Sequence, residues 1–495
     1  MRRSLESARN GSGSGLLQST LTIIGIYSER AEMLMLIAII AWVQFPLGSN
    51  RTWSWSLLVL LIALNWVVWI PAYLIHSQMP TKRSQRVSLA AALLGVVLLW
   101  AWLQCVSFTP APWHNPIWRV TVSGLHQTAV GAISINPAVT ETELMKLISY
   151  VVLGGLAMRL GARHKNAHTL FVAVAAVGVA YAIYGITLSA LDTSQFTILE
   201  NMISPYGKAV SGGFVSKNSF ATFTGLALLA CSALLAEQGH QEVITLRGWR
   251  THVQTLGQFA AGSGAIWIIG FLILFAALVA SDSRAGFVAT LVGLLAMLVL
   301  SAIVSTSRRR LKWTLVGGTS TAFALLILFL VSGQNMQLRF ETLIETQGAG
   351  ELRPLMWGAA TRAIRDNPIL GTGLGTYGNA YSLYARSFVP FVVDRAHNDY
   401  LEFAMGLGIP AASLWILALF ILTVECALGA ARRRRRRTYS MTAVGASVLV
   451  GFHSAFDFSL QMPAVAVIYA ILLGVGLGQA RSQGSGANPS MKSLE

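Results

Sequence analysis

The segment AIWIIGFLILFAALVASDSRAGFVATLVGLLAMLVLSAIV, residues 265–304, decides the fold class. It contains two long apolar runs that are separated only by Asp282, Ser283 and Arg284. A membrane-spanning helix needs about 20 mostly apolar residues, and each run is close to that length. The short polar turn therefore predicts two antiparallel spans that are joined at the membrane surface.

The same pattern recurs along the chain and predicts an all-α integral membrane protein. Of the 495 residues, 54% are hydrophobic and only 11% are charged, which is unlike a soluble domain. Apolar windows of suitable length predict about twelve transmembrane helices. These spans are placed near residues 32–48, 53–75, 87–106, 144–162, 168–190, 218–236, 264–281, 284–304, 313–333, 397–424, 440–458 and 463–480.

The net charge of +16 is explained by topology. If the N-terminus is cytoplasmic, most Lys and Arg residues, including the arginine run at 432–437, fall in cytoplasmic loops, as the positive-inside rule requires. Such a run binds anionic lipid, so the charge does not indicate a nucleic-acid partner. The predicted organisation is a cytoplasmic segment 1–31, a membrane domain 32–333, an outer loop 334–396 with helices, a membrane domain 397–480 and a cytoplasmic tail 481–495.

Two of the outer loops carry candidate ligand-binding residues. In the loop at 107–143, Trp113, His114 and Trp118 could stack on sugar rings or anchor the chain at the membrane interface. The loop at 191–217 leads into Lys217 and Asn218, where the sixth span begins. A lysine there could bind a ligand or extend its charge out of the membrane.

The third outer loop predicts a helix followed by a tight turn. Apolar residues at helical spacing, with Pro354 near the start and the Asn367–Pro368 pair at the end, predict a helix over ELRPLMWGAATRAIRDNP. The glycine-rich segment GTGLGTYGNAY at 371–381 could hold an anion through its backbone N–H groups. It is not a dinucleotide-binding fingerprint, because no strand precedes it.

Four ionisable side chains, Arg395, His397, Asp399 and Glu402, begin the predicted span in RAHNDYLEFAMGLGIP, residues 395–410. Each is costly at a membrane unless it is hydrated or paired. Helical spacing predicts that His397 and Leu401 share one helical face with the small residues Ala404 and Gly408, which would let a neighbouring helix or a lipid tail approach. The same spacing places Asn398 beside Glu402, where the two could orient His397 or hold an arginine of the loop.

The segment HSAFDFSLQMP places His453 and Asp457 four residues apart, on one predicted helical face of the span at 440–458. They could form a mutually satisfied pair or belong to a site. All of these polar groups map to the outer side of the membrane. Together they offer several cations for a multiply charged anion and a histidine for a proton, which suits a lipid-linked diphosphate.

At these motifs the sequence resembles the O-antigen ligase and O-antigen polymerase superfamily of bacterial membrane glycosyltransferases. The similar pieces, over roughly residues 210–465, are Ser283–Arg284, RPLMW followed by NPILGTGLGTY, HNDYLEFAMGLGIP, and HSAFDFSLQMP. The resemblance implies a GT-C-like enzyme of the bacterial inner membrane with a periplasmic active site. Its donor would be an undecaprenyl-diphosphate-linked glycan, with no cofactor and no required metal.

The resemblance also implies roles for individual residues. His397 corresponds to the essential histidine, and Arg284 and Arg353 correspond to basic residues near the donor diphosphate. Lys217–Asn218 stands where many relatives have Arg-Asn, so the bidentate fork is lost. The remaining candidates for substrate binding are Arg395, Asn398, Glu402, His453 and Asp457.

Several alternatives stay open at the level of sequence. The acceptor could be a growing glycan, lipid A-core or a protein hydroxyl, the last making the chain an O-oligosaccharyltransferase. Asp399 or Glu402 could form a covalent intermediate or hold a metal ion. A transporter or flippase of lipid-linked glycan is the rival from another class, but it predicts charges through the membrane midplane rather than at one face.

Overall fold

The computed structural model describes residues 25–45, 47–76, 84–120, 130–191, 209–243, 262, 264–305, 352–386, 392–433 and 436–481. Eight helices in these ranges are long and apolar enough to cross a membrane. The only β-structure in them is a single bridge between Leu47 and Phe214. The chain is therefore a multi-pass, all-α membrane protein. The predicted span at 313–333, the first 24 residues, the loop residues 334–351 and the tail from 482 lie outside the described residues.

The helices are numbered here in chain order. They are α1 (residues 25–42), α2 (Thr52–His76), α3 (Gln85–Cys105), α4 (Pro137–Gly161), α5 (His164–Ala190), α6 (Lys217–Val243), α7 (Ala265–Ala280), α8 (Arg284–Val304), α9 (Arg353–Asp366), α10 (Tyr377–Tyr384), α11 (Asp399–Leu407), α12 (Ile409–Arg432), α13 (Thr438–His453) and α14 (Pro463–Arg481). The eight spanning helices are α2, α3, α4, α5, α6, α8, α12 and α14. Three further helices, α1, α7 and α13, lie at other predicted spans.

Helices α6 and α14 are almost wholly buried and form the centre of the bundle. Helix α14 packs against α4, α12 and α13, while α6 packs against α5, α7, α8 and α13. Small residues allow the closest of these contacts, since a Cβ on Gly474 would lie 2.3 Å from the carbonyl oxygen of Gly154. Apolar sequence on all sides of both helices matches this position, because a helix without a polar face must be enclosed.

The outer loop contains the predicted helix, which is α9. Its buried residues Met356, Ala359, Ala360 and Ala363 pack with α10 and with Met405 of α11 in a small hydrophobic cluster. Pro354 lies in the first turn, and the helix ends just before Asn367. The predicted boundaries are therefore confirmed, and the cluster fixes α11 to the loop.

The glycine-rich turn has a different role from the predicted anion site, because its N–H groups bind protein acceptors. Thr372 donates to the Met405 carbonyl and Gly373 to the Gly406 carbonyl, each over 2.9 Å, and Leu374 donates to the side chain of buried Gln104. The amide of Gln104 in turn donates to Gly406 and Leu370. The turn thus joins the end of α3 to the end of α11.

Two predicted spans differ from the observed helices by more than a shift of their ends. The helix expected over 397–424 is broken at Gly408, whose φ of +81° is left-handed and separates α11 from α12. His397 therefore precedes α11 instead of sharing a helical face with Ala404 and Gly408. The span expected to reach residue 458 ends at His453, because the chain turns there and its next N–H groups bond within the turn.

We expect Gly408→Ala to destabilise the fold by at least about 2 kcal/mol, because the left-handed backbone is strained for alanine. The new Cβ would also lie 2.1 Å from the carbonyl oxygen of Ile369. Melting of the purified protein in detergent measures the effect. Gly95→Ala is the matched control, since its Cβ meets nothing within 4 Å and alanine is favoured within a helix. Equal losses in both variants would contradict the role given to Gly408.

Candidate functional site

The side chains of His397 and Asp457 are hydrogen-bonded to each other at the centre of the candidate site. His397 Nδ1 lies 3.0 Å from Asp457 Oδ1, which also accepts the backbone N–H of Phe458 over 2.9 Å. The Phe458 ring meets the imidazole edge-on, with 4.8 Å between the ring centres. Asp457 is fully buried, whereas 30% of the His397 side chain is exposed. The imidazole is therefore fixed on one side and accessible on the other.

The surroundings of Asp457 favour its ionised form. Burial alone would raise the pKa of Asp457, but the hydrogen bond from His397, the charges of His453 and His397 and the Phe458 N–H hold that pKa below its ordinary value. An ionised carboxylate only accepts hydrogen bonds, so the shared proton belongs on His397 Nδ1. With the proton on Nδ1, a neutral imidazole has Nε2 as its acceptor.

The backbone at His397 is left-handed, with φ of 51°. This conformation is uncommon for a residue with a side chain and is kept only where the surroundings enforce it. Here it turns the chain out of the loop and into α11 while aiming the imidazole at Asp457. The next residue, Asn398, caps the helix by accepting the Leu401 N–H over 3.1 Å, and its amide donates to the Ala455 carbonyl over 3.0 Å.

Arg395 is buried in a cluster of acceptors beside this pair. Its guanidinium donates to Glu402 Oε1 over 2.9 Å and to Gln461 Oε1 over 3.3 Å, and it lies 3.8 Å from Glu143 Oε1 of α4. Burial alone would lower the pKa of Arg395, but the charges of Glu402 and Glu143 outweigh it and raise that pKa. Glu402 also accepts the Ala396 N–H. The charge of Arg395 is therefore balanced within the protein.

His453 and Asp457 do not form the side-chain pair that their spacing allowed. His453 Nδ1 contacts the hydroxyls of Thr222, over 3.0 Å, and Ser459. The imidazole is fully buried, and its Nε2 has no hydrogen-bond partner within the described part of the chain. Arg353, at the start of α9, is close enough for its charge to act on His453. His453 thus connects α6 to the segment that carries Asp457.

A second polar group lies at the start of α6 and α8. Ser283 Oγ donates to Asn218 Oδ1 over 2.8 Å and caps α8 by accepting the Gly286 N–H. Lys217 Nζ donates to Asp282 Oδ2 over 3.2 Å. Arg284 is exposed and has no ion pair with the described residues. The predicted site residues therefore form one group around His397 and a second at the start of α6 and α8. His453 lies between the two groups, in contact with Thr222 of α6 and with Ser459.

Sequence reasoning missed several partners that build the site. Glu143, Gln461 and Ser454 come from segments far from the His397 motif. Glu143 carried a weak signal, because an acidic residue stood at the edge of a predicted span. No three His, Cys, Asp or Glu side chains in the described ranges are grouped to hold a metal ion.

An apolar cavity of about 220 Å³ lies between α3, α4, α12 and α14. Its lining includes Phe403 of α11 and Leu460, which are near neighbours of Glu402 and Gln461 in sequence. Along α14 the lining extends from Ala466 to Leu477, which is a rise of roughly 16 Å. The cavity is thus elongated, and one of its ends lies near the Arg395 cluster.

Residues 269–416 match the family model described as O-antigen ligase. This segment is similar to the O-antigen ligase family. It runs from α7 into α12 and includes Arg284, Arg353, Arg395 and His397, which confirms the resemblance inferred from sequence. Lys217, Asn218, His453 and Asp457 lie outside the matched residues. Among curated proteins, none matches the sequence.

We expect Arg395→Met to destabilise the fold by about 3–5 kcal/mol, because Glu402 would stay buried without its partner charge. Adding Glu402→Gln removes that charge and should restore much of the melting temperature. Arg163→Met is the control, since its side chain is 54% exposed and that of its ion-pair partner Glu29 is 18% exposed, so this pair should contribute less than about 1 kcal/mol. If Arg395→Met melts like the wild type, the cluster does not stabilise the fold.

Proposed function

We propose that the protein transfers a glycan from undecaprenyl diphosphate to an acceptor hydroxyl during ligation or polymerisation of a surface polysaccharide. The observation that carries this proposal is the accessible imidazole of His397, which lies in the segment similar to O-antigen ligase and is held by buried Asp457. The similarity supports glycosyl transfer, and the histidine provides the base that an acceptor hydroxyl requires.

In the proposed reaction, the acceptor oxygen forms a bond to the anomeric carbon as the bond from that carbon to the diphosphate breaks. The hydroxyl proton passes to His397 Nε2, and undecaprenyl diphosphate leaves with the bonding electrons. Asp457 keeps the imidazole in the correct tautomer and stabilises the imidazolium that forms. General-base catalysis of this kind typically contributes about 10²–10⁴-fold.

Arg284 and Arg353 are proposed to bind the diphosphate. Arg284 is exposed without an ion pair in the described ranges, so its guanidinium is available for bidentate hydrogen bonds to phosphate. The charge of Arg353, at the start of α9, acts on His453, and in this proposal it adds a second positive charge for the diphosphate. Stabilising charge on the leaving oxygen in this way is worth several kcal/mol in a poorly hydrated site.

The other predicted site residues take supporting roles in this proposal. Lys217 and Asn218 place Asp282 and Ser283, and thereby Arg284. Asn398, Arg395 and Glu402 form the inner wall beside His397, and His453 connects that wall to α6. The apolar cavity between α3, α4, α12 and α14 offers space for a hydrocarbon chain.

A single displacement, which inverts the anomeric centre, is favoured over a covalent intermediate. Asp399 and Glu402 are only 1% and 3% exposed and are engaged by Ser454, Leu460, Arg395 and Ala396. A nucleophilic carboxylate must reach the anomeric carbon, which this burial prevents. The same burial argues against a metal site at these residues, so we propose that the reaction proceeds without a metal and is insensitive to EDTA.

We propose that the protein lies in the bacterial inner membrane and has about twelve spans in a GT-C-like fold. The site would face the periplasm, and both termini would lie in the cytoplasm. The arginine-rich end of the bundle supports this orientation, because Arg86, Arg159, Arg163 and Arg432 gather at the end opposite α11. In this proposal the membrane domain covers residues 32–333 and 397–480, the loop 334–396 lies on the periplasmic side, and the segments 1–31 and 481–495 are cytoplasmic.

We expect His397→Ala to lower glycan transfer by about 10²–10⁴-fold, and Asp457→Asn to lower it substantially because the imidazole loses its orientation. The assay uses purified protein, undecaprenyl-diphosphate oligosaccharide and separate acceptors. His168→Gln is the control, since His168 forms a hydrogen bond to Tyr439 far from the site.

The same assay identifies the acceptor class. A product ladder indicates polymerisation, and a single shifted lipid or protein band indicates ligation or O-oligosaccharyl transfer. Normal transfer by folded His397→Ala protein would refute the assignment.

We expect Arg284→Ala to lower transfer by about 10²-fold or more and Arg284→Lys to restore only part of it, because lysine keeps the charge but loses the fork. Arg163→Ala, at the opposite end of the bundle, serves as the control. Initial rates at saturating donor separate this effect from weaker donor binding. Full activity of Arg284→Ala would show that this arginine does not contact the leaving group.

A further inference from the structure

The His397–Asp457 pair joins two segments that are far apart in sequence. His397 immediately precedes α11, whereas Asp457 lies in the connection between α13 and α14, residues 454–462. One hydrogen bond of 3.0 Å joins the two side chains. A single bond between a partly exposed imidazole and a turn residue does not hold two segments in register, so other contacts must do so.

Asp399 makes those contacts on both sides of Asp457. Its Oδ2 accepts the Ser454 hydroxyl over 2.7 Å and the Leu460 N–H over 3.1 Å, and its own N–H donates to the Ser454 carbonyl over 2.8 Å. Ser454 lies three residues before Asp457, and Leu460 lies three residues after it. One buried carboxylate therefore holds both ends of the turn that presents Asp457 to His397.

The burial of Asp399 is costly and calls for an explanation. Its side chain is 1% exposed, and its Oδ1 has no hydrogen-bond partner among the described residues. Burial raises the pKa of Asp399 to about 8, with the Leu460 and Ser454 donors opposing that shift. A protonated carboxyl and a carboxylate both keep an acceptor oxygen toward Ser454 and Leu460, so the contacts do not depend on the charge.

We propose that Asp399 is a positioning residue: by holding Ser454 and Leu460 it keeps the carboxylate of Asp457 on the imidazole of His397. This inference rests on the proposed function for its kinetic consequence but not for its geometry. Asp399 itself reaches neither substrate nor solvent. Its effect on transfer passes entirely through Asp457, and this separates it from a residue that only stabilises the fold.

The test compares Asp399→Leu, Asp399→Asn, Asp457→Asn and the double variant Asp399→Leu/Asp457→Asn in the full chain. Misplacing a catalytic group by about 1 Å can cost about 10²-fold, so we expect Asp399→Leu to lower kcat by about 10- to 100-fold with little change in the donor KM. Asp399→Asn should retain most activity, because its amide oxygen can accept both hydrogen bonds. The double variant should lose no more than Asp457→Asn alone, since both changes remove one interaction.

A second readout is independent of transfer. The rate at which diethyl pyrocarbonate modifies His397 at one fixed pH, followed by peptide mass spectrometry, should rise in Asp399→Leu and in Asp457→Asn as the imidazole loses its partner. The double variant should match Asp457→Asn. Glu425→Gln is the control, since Glu425 is an equally buried carboxylate on α12 that lies with Arg86 and Arg432 at the opposite end.

The outcomes separate the two proposals. If the wild type transfers no glycan to any acceptor, the proposed function fails, and the modification rates still decide the role of Asp399. If Asp399→Leu folds but leaves the modification of His397 unchanged, or if the kinetic losses of the two single variants multiply in the double variant, Asp399 does not act through Asp457 and the inference is overturned.

Discussion

The hydrogen bond between His397 and Asp457 depends on a general constraint, which is that a charged group buried in a membrane bundle must find partners within the protein. The structure meets this constraint by drawing together segments from the loop, α11, α13 and the start of α14. Asp457 accepts hydrogen bonds from the imidazole and from a backbone N–H. Arg395 donates hydrogen bonds to Glu402 and Gln461 and forms an ion pair with Glu143. The resulting network holds the imidazole in a left-handed turn that an isolated chain would avoid.

Much of the surrounding architecture supports that network. Gln104, at the end of α3, bonds to the glycine-rich turn and to the end of α11. The small cluster formed by α9 and α10 packs against the same short helix through Met405. Helix α11 is only nine residues long, too short to be stable alone. Its position, and with it the position of His397, is therefore set by the elements that surround it.

Sequence patterns predicted the elements better than the contacts between them. The membrane class, most span positions and the boundaries of α9 follow from apolar periodicity and from proline, which act locally. The same reasoning continued α11 into α12, because a glycine within an apolar run does not reveal its left-handed backbone until the neighbouring carbonyl of Ile369 is in place. It also left the glycine-rich turn free to bind an anion, since the acceptors that occupy its N–H groups come from α3 and α11.

The candidate residues show the same division. The sequence by itself determined that His397, Arg284, Arg353 and Asp457 are polar groups at one end of a membrane bundle, because hydropathy and charge asymmetry are properties of the chain. Only the tertiary structure decided that Asp457 pairs with His397 instead of His453, that Glu143 balances Arg395, and that Asp399 holds the turn between them. These pairings join residues that are up to about 250 positions apart in the chain. Their physical cause is the burial of charge, which selects a partner by distance in space and leaves no periodicity in the sequence.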